Sequence, residues 1–168
     1  MKGWEPMADK ILIVYYTHSG NTKKIAEAIQ IKTGGILYEI NPEIPYPVDY
    51  NTVVNQAKKE IKENFKPVLK TKINGIEAYD TVFVGSPNWW NTIAPPITTF
   101  LAENNLSGKT VIPFLTHGGG GAGNIERDIA KLCSASKMLP GLSVYESDIS
   151  KITAWLQKIG IAMNQLKE

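Results

Sequence analysis

Residues 17–22 combine side chains that suit the binding of a phosphate group. They read Thr-His-Ser-Gly-Asn-Thr, and their hydroxyl and amide groups offer hydrogen-bond donors. The apolar run at 10–16 predicts a buried strand before them, and the apolar spacing at 23–29 predicts a helix after them. Backbone N–H groups and the positive end of a helix dipole meet at such a turn and favour an anion. The candidate phosphate-binding residues are Thr17, His18, Ser19, Gly20, Asn21 and Thr22.

Two later loops have compositions that suit a flat ring. Residues 85–91 read Gly-Ser-Pro-Asn-Trp-Trp-Asn, and adjacent tryptophans in a loop need flat apolar partners. We expect one tryptophan to cover the edge of the core and the other to form a wall for a planar ring. Residues 116–121 read Thr-His followed by four glycines, which let a ligand approach the backbone closely.

Strands and helices alternate along the chain, which predicts an α/β fold with a three-layer, doubly wound, five-stranded parallel sheet. Right-handed crossovers leave two common strand orders, and in both a ligand binds at the carboxyl ends of the strands where the order reverses. The loops after strands one, three and four are therefore expected to meet. The predicted strands are 10–16, 36–40, 81–85, 109–115 and 142–145. The predicted helices are one that begins at 23 and stops at Gly34-Gly35, and those at 51–64, 95–102, 124–134 and 149–164.

Some positions qualify these elements. Residues 41–50 hold three prolines and predict a loop. Pro113 weakens the prediction of the fourth strand, because proline has no N–H for a sheet ladder. Ser147 or Asp148 is expected to cap the last helix.

Composition sets the class of protein. A chain of 168 residues that is 43% apolar and 20% charged predicts one globular domain. The net charge is +2, the lysines are scattered and Arg127 is the only arginine, so we expect no nucleic-acid partner. The single cysteine, Cys133, fits a reducing compartment, and no apolar stretch approaches the roughly 18 residues of a membrane span. We expect a cytoplasmic domain at 9–168, with residues 1–8 forming a disordered tail or a cloning remnant.

The three loops together describe a site for a planar ring on a phosphorylated tail, which fits FMN. Residues 17–22 resemble the phosphate loop of flavodoxins. The Gly-Ser-Pro-x-Trp-Trp loop, the Pro-Tyr-Pro stretch at 45–47 and the Thr-x-Gly-Gly stretch at 116–119 are similar to a flavodoxin-like family common in bacteria. The resemblance runs from about residue 10 to residue 165, and it implies the strand order 2-1-3-4-5.

The resemblance also implies which residues flank the cofactor. Residues 17–22 match the positions that hold the flavin phosphate, and two loops match those beside the isoalloxazine ring, with Trp89 or Trp90 stacked on it. Many electron carriers of the family place a tyrosine on the outer ring face, where this chain has His117 and glycines, so that face is expected to be more open. The implied ring-flanking residues are Ser86, Pro87, Asn88, Trp89, Trp90, Asn91, Thr116, His117, Gly118 and Gly119.

Other motifs fit the chain less well. The Gly-x-Gly-x-x-Gly match at 118–123 follows the fourth predicted strand, whereas a dinucleotide fingerprint follows the first strand of its unit. The same loop lacks the lysine of a nucleotide-triphosphate loop. Ser19 has Thr17 where a nucleophile elbow needs glycine. Two histidines without a carboxylate at ligand spacing predict no metal site, and Cys133 is expected to be a small core residue.

Two roles remain open for a flavin-binding chain of this kind. One is a carrier that passes electrons between partner proteins, and the other is an enzyme that takes hydride from NAD(P)H and reduces a quinone or a similar small acceptor. Carriers of the family tend to be acidic, whereas this chain is slightly basic, which favours the second role. A member that binds flavin without turnover is a third possibility. His117 is a candidate donor to flavin or substrate, and Arg127 to a nicotinamide phosphate.

Overall fold

A computed structural model describes residues 10–164 of the chain. Six strands and five helices alternate there, with one short 3-10 helix at Ile76–Ala78. The strands are β1 (Ile11–Tyr15), β2 (Ile36–Glu39), β3 (Thr81–Pro87), β4 (Thr110–His117), β5 (Lys137–Met138) and β6 (Leu142–Tyr145). The helices are α1 (Asn21–Thr33), α2 (Tyr50–Lys62), α3 (Pro95–Glu103), α4 (Ile125–Leu132) and α5 (Ile152–Lys158).

The sheet is parallel and has the order β2-β1-β3-β4-β5, with β6 also paired to β4. The predicted fold and strand order are therefore confirmed. The fifth position holds two short strands, because β5 pairs with β4 only as far as Val111 and β6 begins opposite Phe114. Pro113 lies between these two stretches, and proline has no N–H for a ladder.

Both faces of the sheet are covered, as a parallel sheet requires. Alternate residues of β1 point to opposite faces, so Leu12 and Val14 join one core cluster, whereas Ile13 and Tyr15 join the other. The first cluster contains residues of α2, α3 and α4, and the second contains residues of α1 and α5.

The last helix is shorter than predicted, whereas the first ends where it was predicted to end. α1 ends at Thr33 with Gly34 as its C-cap, at a φ of 75°, so the predicted stop at Gly34-Gly35 is confirmed. The last helix begins at Ile152 rather than 149 and ends at Lys158 rather than 164. The expected cap at Ser147 or Asp148 is wrong, because Asp148 Oδ1 accepts a hydrogen bond from the Ser150 N–H in the turn that precedes the helix. The predicted tail at 1–8 lies outside the described residues.

Gly85 makes room for a core phenylalanine next to the end of β3. It pairs in register with Phe114 of β4, and a Cβ atom on Gly85 would overlap the Phe114 ring. Phe114 is fully buried and Gly85 is buried, so the ring has little space to move.

Tyr46 ties the loop between β2 and α2 to that helix. It is 9% exposed, and its hydroxyl donates to Glu60 Oε1 at 2.5 Å. Burial, followed by the hydrogen bond to and the charge of Glu60, raises the pKa of Tyr46 well above its usual value.

Within the described part of the chain, none of the helices combines the length and the apolar composition that a membrane crossing needs.

We predict that Gly85→Ala destabilises the protein by about 1–3 kcal/mol, because the added methyl group overpacks the Phe114 site. The measurement is the urea unfolding midpoint. Gly118→Ala is the matched control, since Gly118 is exposed and a Cβ there meets no atom within 4 Å. Equal midpoints for the two variants would contradict the packing argument.

We predict that Tyr46→Phe lowers the free energy of unfolding by about 1 kcal/mol at neutral pH, because it removes the hydrogen bond to Glu60. Because the folded-state pKa of Tyr46 is raised, its hydroxyl contributes fully below about pH 10, where tyrosines of the unfolded chain ionise. The contribution is lost as the pH rises further. Urea melts at pH 7 and pH 11 should therefore show a larger difference between wild type and Tyr46→Phe at pH 7. A larger difference at pH 11 would contradict this.

Candidate functional site

A cavity of about 570 Å³ lies at the carboxyl ends of β1, β3 and β4. Its size falls within the range of small-molecule and cofactor sites. The three loops singled out in the sequence all contribute to it, because the carboxyl ends of parallel strands share one edge of the sheet. The described lining residues are His18, Ser19, Asn21, Tyr50, Val53, Val54, Ala57, Pro87, Asn88, Trp89, Trp90, Asn91, Thr116, His117, Gly118 and Gly120.

The loop after β1 delivers the start of α1 to one end of the cavity. The Thr17 hydroxyl accepts from the Gly20 N–H at 3.0 Å, and Gly20 has a φ of 98°. The N–H groups of the first turn of a helix have no acceptor within it, and no side chain caps α1. Its first turn also contains no acidic residue, so its positive end is not neutralised from within the helix.

His18 connects this loop to the proline-rich loop before α2. Its Nε2 lies 2.8 Å from the Pro47 carbonyl oxygen, which only accepts, so Nε2 is the donor. The imidazole also meets the edge of Trp89, with ring centroids 5.9 Å apart.

Residues 89–92 form a tight turn beside the cavity. Trp89 and Thr92 exchange two backbone hydrogen bonds, at 3.0 and 3.1 Å, and the two residues between them have positive φ, 54° at Trp90 and 66° at Asn91. Two positive φ values in a two-residue turn define type I′. The left-handed region costs a bulky residue such as Trp90 roughly 1–2 kcal/mol.

The two tryptophans have different surroundings. Trp89 is half-buried and packs edge-on against Tyr16 and Tyr46, with centroids 5.6 and 5.0 Å away. Trp90 is 48% exposed, and its Nε1 donates to the Val54 carbonyl of α2 at 3.0 Å. Trp89 therefore covers the edge of the core, whereas Trp90 keeps much of its ring surface free. The expectation that one tryptophan covers the core is met by Trp89.

The loop after β4 is open apart from one imidazole. His117 Nδ1 accepts from the Gly119 N–H at 3.0 Å, so a neutral His117 carries its proton on Nε2. The ring packs against Tyr145 at a centroid distance of 5.8 Å. Gly118 and Gly120 line the cavity with backbone alone.

Asn88 connects the two loops that flank the cavity. Its N–H donates to the Thr116 carbonyl at 2.8 Å, and its Nδ2 donates to the Gly121 carbonyl at 2.7 Å. Its Oδ1 accepts from the Asn91 N–H at 2.9 Å. The two loops are therefore joined by one backbone and one side-chain hydrogen bond of Asn88.

Most of the residues chosen from the sequence line the cavity, and five do not. Each of these five is adjacent in sequence to a lining residue. Three of them make hydrogen bonds through their hydroxyl groups, and the other two are glycines. Thr22 and Thr116 share a buried hydroxyl hydrogen bond at 2.8 Å, and the Ser86 hydroxyl, fully buried, accepts from the Ala94 N–H and donates to the Pro87 carbonyl. The five residues outside the lining are Thr17, Gly20, Thr22, Ser86 and Gly119.

Sequence reasoning missed the contribution of α2. Tyr50, Val53, Val54 and Ala57 line the cavity. The last three share one face of the helix predicted at 51–64, and that spacing alone does not indicate a ligand site. Tyr50 stood at the edge of the predicted loop. Gly120 was part of the glycine run but was not chosen.

Among the described residues, no group of three or more His, Cys, Asp or Glu side chains is arranged to hold a metal ion. Cys133 is buried, and burial raises the pKa of its thiol to about 11.

The solved structures to which this chain is similar include several flavoproteins. No curated protein matches the chain. A candidate flavoprotein from Bacteroides eggerthii is 34% identical, with a TM-score of 0.80 over 92% of this chain and 99% of that one. Another from Bacteroides uniformis is 26% identical, with a TM-score of 0.81 over 90% and 99%. A flavoprotein from Lactobacillus acidophilus in complex with FMN is 27% identical, with a TM-score of 0.73 over 88% and 99%.

The family model described as flavodoxin matches residues 10–159, which is most of the chain. Together with the parallel sheet order and the three loops at its carboxyl edge, this match shows that the chain belongs to the flavodoxin family.

Proposed function

We propose that this chain is an FMN-binding redox protein that reduces a small acceptor through the bound flavin. The observation that carries the proposal is the uncapped, acid-free start of α1, which opens into the same cavity as both ring-flanking loops. A phosphate group suits the start of α1, and a flat ring suits the two loops at the other end of the cavity. The FMN complex of the Lactobacillus acidophilus flavoprotein, a 27% identical neighbour, supports the choice of flavin.

The phosphate is assigned to the loop before α1. Ser19 and Asn21 line the cavity and supply a hydroxyl and an amide, and the free N–H groups of the first turn supply the remaining donors. Thr17 and Gly20 shape the loop through their mutual hydrogen bond, and Thr22 anchors it to Thr116.

The ring is assigned to the slot between the loops after β3 and β4. Trp90 is the better candidate for the stacking wall, because Trp89 is already held by Tyr16 and Tyr46. Residues 86–91 offer the backbone groups nearest the ring, and Gly118 and Gly119 let it approach the opposite loop closely. The glycines also leave one side of the slot open to solvent or to an acceptor.

Bound FMN would supply hydride and single-electron chemistry, whereas the protein would bind and orient the flavin and limit access to it. His117 presents its Nε2 proton donor from the β4 loop, fixed by Gly119 and Tyr145. None of the described lining residues is acidic, so the cavity lacks the negative charge that would disfavour an anionic reduced ring.

A carrier that passes electrons to a redox partner protein is the second candidate, since flavodoxin-like proteins transfer electrons to partners. The open loop after β4 is compatible with it. The net charge of +2 favours a small acceptor such as a quinone, with NAD(P)H as the donor, over docking on a basic protein.

We predict that Ser19→Asp lowers FMN affinity on the order of tenfold or more, because it places a carboxylate beside the phosphate at the start of α1. Riboflavin, which lacks the phosphate, should bind wild type and variant alike. The measurement is fluorescence titration of cofactor-free protein. Ser107→Asp is the control, since Ser107 is exposed in the loop before β4, at the opposite edge of the sheet. Equal FMN affinity in the two variants would contradict the assignment of the phosphate to this loop.

We predict that Trp90→Ala weakens FMN binding roughly 3- to 10-fold through loss of ring stacking, whereas Trp90→Phe retains most of the affinity. The measurement is the same titration, with near-ultraviolet circular dichroism to confirm folding. Trp89→Ala is compared because Trp89 packs on the core. Unchanged affinity in both alanine variants would contradict the stacking assignment.

The role is tested by mixing FMN-loaded protein with NADH or NADPH and a quinone. Steady nicotinamide oxidation that depends on the quinone is the expected result. No turnover, with stable flavin binding, would favour the carrier or a member that binds flavin without catalysis.

A further inference from the structure

Lysines occur along the whole chain, but its positive charge is concentrated in one segment. Residues 58–72 contain six lysines and two glutamates, a net charge of +4, whereas the whole chain has +2, so all other residues together carry −2. The six lysines are all exposed. Within the described residues the one ion pair is Arg127–Asp128, so none of these lysines is paired with a described carboxylate. They are Lys58, Lys59, Lys62, Lys66, Lys70 and Lys72.

The end of α2 turns the chain so that the segment stays at the surface. The Phe65 N–H donates to the Glu60 carbonyl at 2.9 Å, and the Asn64 N–H donates to the Ile61 carbonyl at 3.2 Å. Asn64 has a φ of 54°. These two bonds and the left-handed residue form a Schellman motif, which ends the helix and fixes the direction of the chain after Lys62.

Residues 66–72, which we call the lysine ribbon, run antiparallel to the chain that leaves β2. Leu69 forms an antiparallel bridge with Pro42, and the Lys70 N–H donates to the Asn41 carbonyl at 2.8 Å. Because β2 is the first strand of the sheet order, the ribbon lies at one edge of the molecule.

Alternate side chains of the lysine ribbon face the solvent. Pro67 and Leu69 are buried, and the Pro67 carbonyl accepts from the Thr99 hydroxyl of α3 at 2.8 Å. Side chains two residues apart in an extended chain point to the same side, so the even-numbered positions share the outer side. The exposed residues at these positions are Lys66, Val68, Lys70 and Lys72.

Exposed apolar side chains stand among these lysines. Phe65 is 49% exposed and Val68 is 65% exposed. Ile44 is 82% exposed and directly follows Glu43, whose N–H donates to the Val68 carbonyl at 2.8 Å. Apolar groups that remain in water gain free energy when they move into hydrocarbon. Lysines combined with apolar side chains on one surface are typical of segments that lie in a membrane interface.

We propose that the lysine ribbon, together with Phe65 and Ile44, docks on the surface of an anionic lipid bilayer. The lysines supply charge complementarity to the headgroups, and the apolar side chains between them enter the interface. Two exposed carboxylates, Glu43 and Glu63, lie beside this surface, and the four lysines from Lys62 to Lys72 outnumber them.

The type of cation favours a lipid surface over an acidic protein. The segment at 58–72 contains no arginine, the residue that forms bidentate pairs with carboxylates. Lysine is depleted in protein–protein interfaces, where aromatic residues and arginine are enriched. A lysine ammonium on its flexible stem instead follows mobile headgroups, while its methylene groups stay close to the apolar region.

The test is flotation of the full chain with lipid vesicles, in the cofactor-free and the FMN-loaded form. Vesicles of equal parts phosphatidylglycerol and phosphatidylcholine should bind both forms, because FMN is not part of this surface. Vesicles of phosphatidylcholine alone should bind neither. Raised salt should weaken the binding, since ions screen the attraction between the lysines and the headgroups.

A matched pair of variants locates the surface. The double variant Lys66→Gln/Lys70→Gln should lower the partition coefficient about tenfold or more, since each lysine near an anionic surface contributes roughly fivefold. The control is Lys131→Gln/Lys137→Gln, which makes the same change of charge at exposed positions in α4 and in β5, at the opposite edge of the sheet. The control should bind the vesicles nearly as wild type does.

Val68→Gln tests the apolar contribution without changing the charge. Val68 is exposed, so the variant should fold as wild type does, which far-ultraviolet circular dichroism checks. It should weaken vesicle binding roughly threefold or more, because glutamine does not enter hydrocarbon. Wild-type vesicle binding by this variant would overturn the insertion of Val68.

The remaining outcomes decide the proposal as a whole. Equal losses in the two lysine pairs would overturn the ribbon as the docking surface, because only net charge would then matter. Binding to poly-L-glutamate without binding to the anionic vesicles would overturn the lipid assignment in favour of an acidic polypeptide. Binding to neither would overturn the proposal outright.

Discussion

Two hydrogen bonds donated by Asn88 join the two loops of the proposed ring slot. Its backbone and side chain reach Thr116 and Gly121 in the loop after β4, and its Oδ1 closes the turn that carries Trp90. Loops at the end of a sheet are otherwise its most mobile parts. The width of the proposed ring slot therefore depends on the backbone and side-chain amides of Asn88.

A second constraint links the phosphate end of the cavity to the same frame. The buried Thr22–Thr116 hydrogen bond connects the first turn of α1 to the end of β4, and the Asn91 carbonyl accepts from the Asn124 N–H at the start of α4. Gly123 allows this approach, because a Cβ atom there would lie 2.8 Å from Asn91 backbone atoms. The first turn of α1, the proposed ring slot and α4 thus form one connected network of hydrogen bonds, which would present a cofactor with a preformed site.

The fold was predictable because its signal is repeated along the chain. Apolar runs that end in turn residues marked every long strand, and a parallel sheet then brings the loops after β1, β3 and β4 to one edge. The two-residue β5 was not predicted, because so short a strand has no period. It pairs with β4 only at Thr110 and Val111, before Pro113. The early end of α5 was also missed, since the apolar pattern continues beyond Lys158 into residues that pack without helical structure.

The loops of the candidate site were predictable because their composition is unusual. The different positions of the two tryptophans were not. Adjacent tryptophans and a run of glycines are rare enough to identify a loop, but the sequence does not distinguish Trp89 from Trp90. That distinction arises from the type I′ turn, which sends Trp89 toward Tyr16 and Trp90 toward α2.

The residues of α2 illustrate the harder case. An apolar stripe with helical spacing predicts a core-facing surface, and Val53 and Ala57 are buried. The same face of α2 also lines the cavity beside the Trp90 turn. Periodicity reports which face of a helix is apolar, but only the position of the neighbouring element determines whether that face meets protein or ligand. For this reason the contribution of α2 to the cavity emerges from packing rather than from pattern, and it would not be expected from any of the three loop motifs.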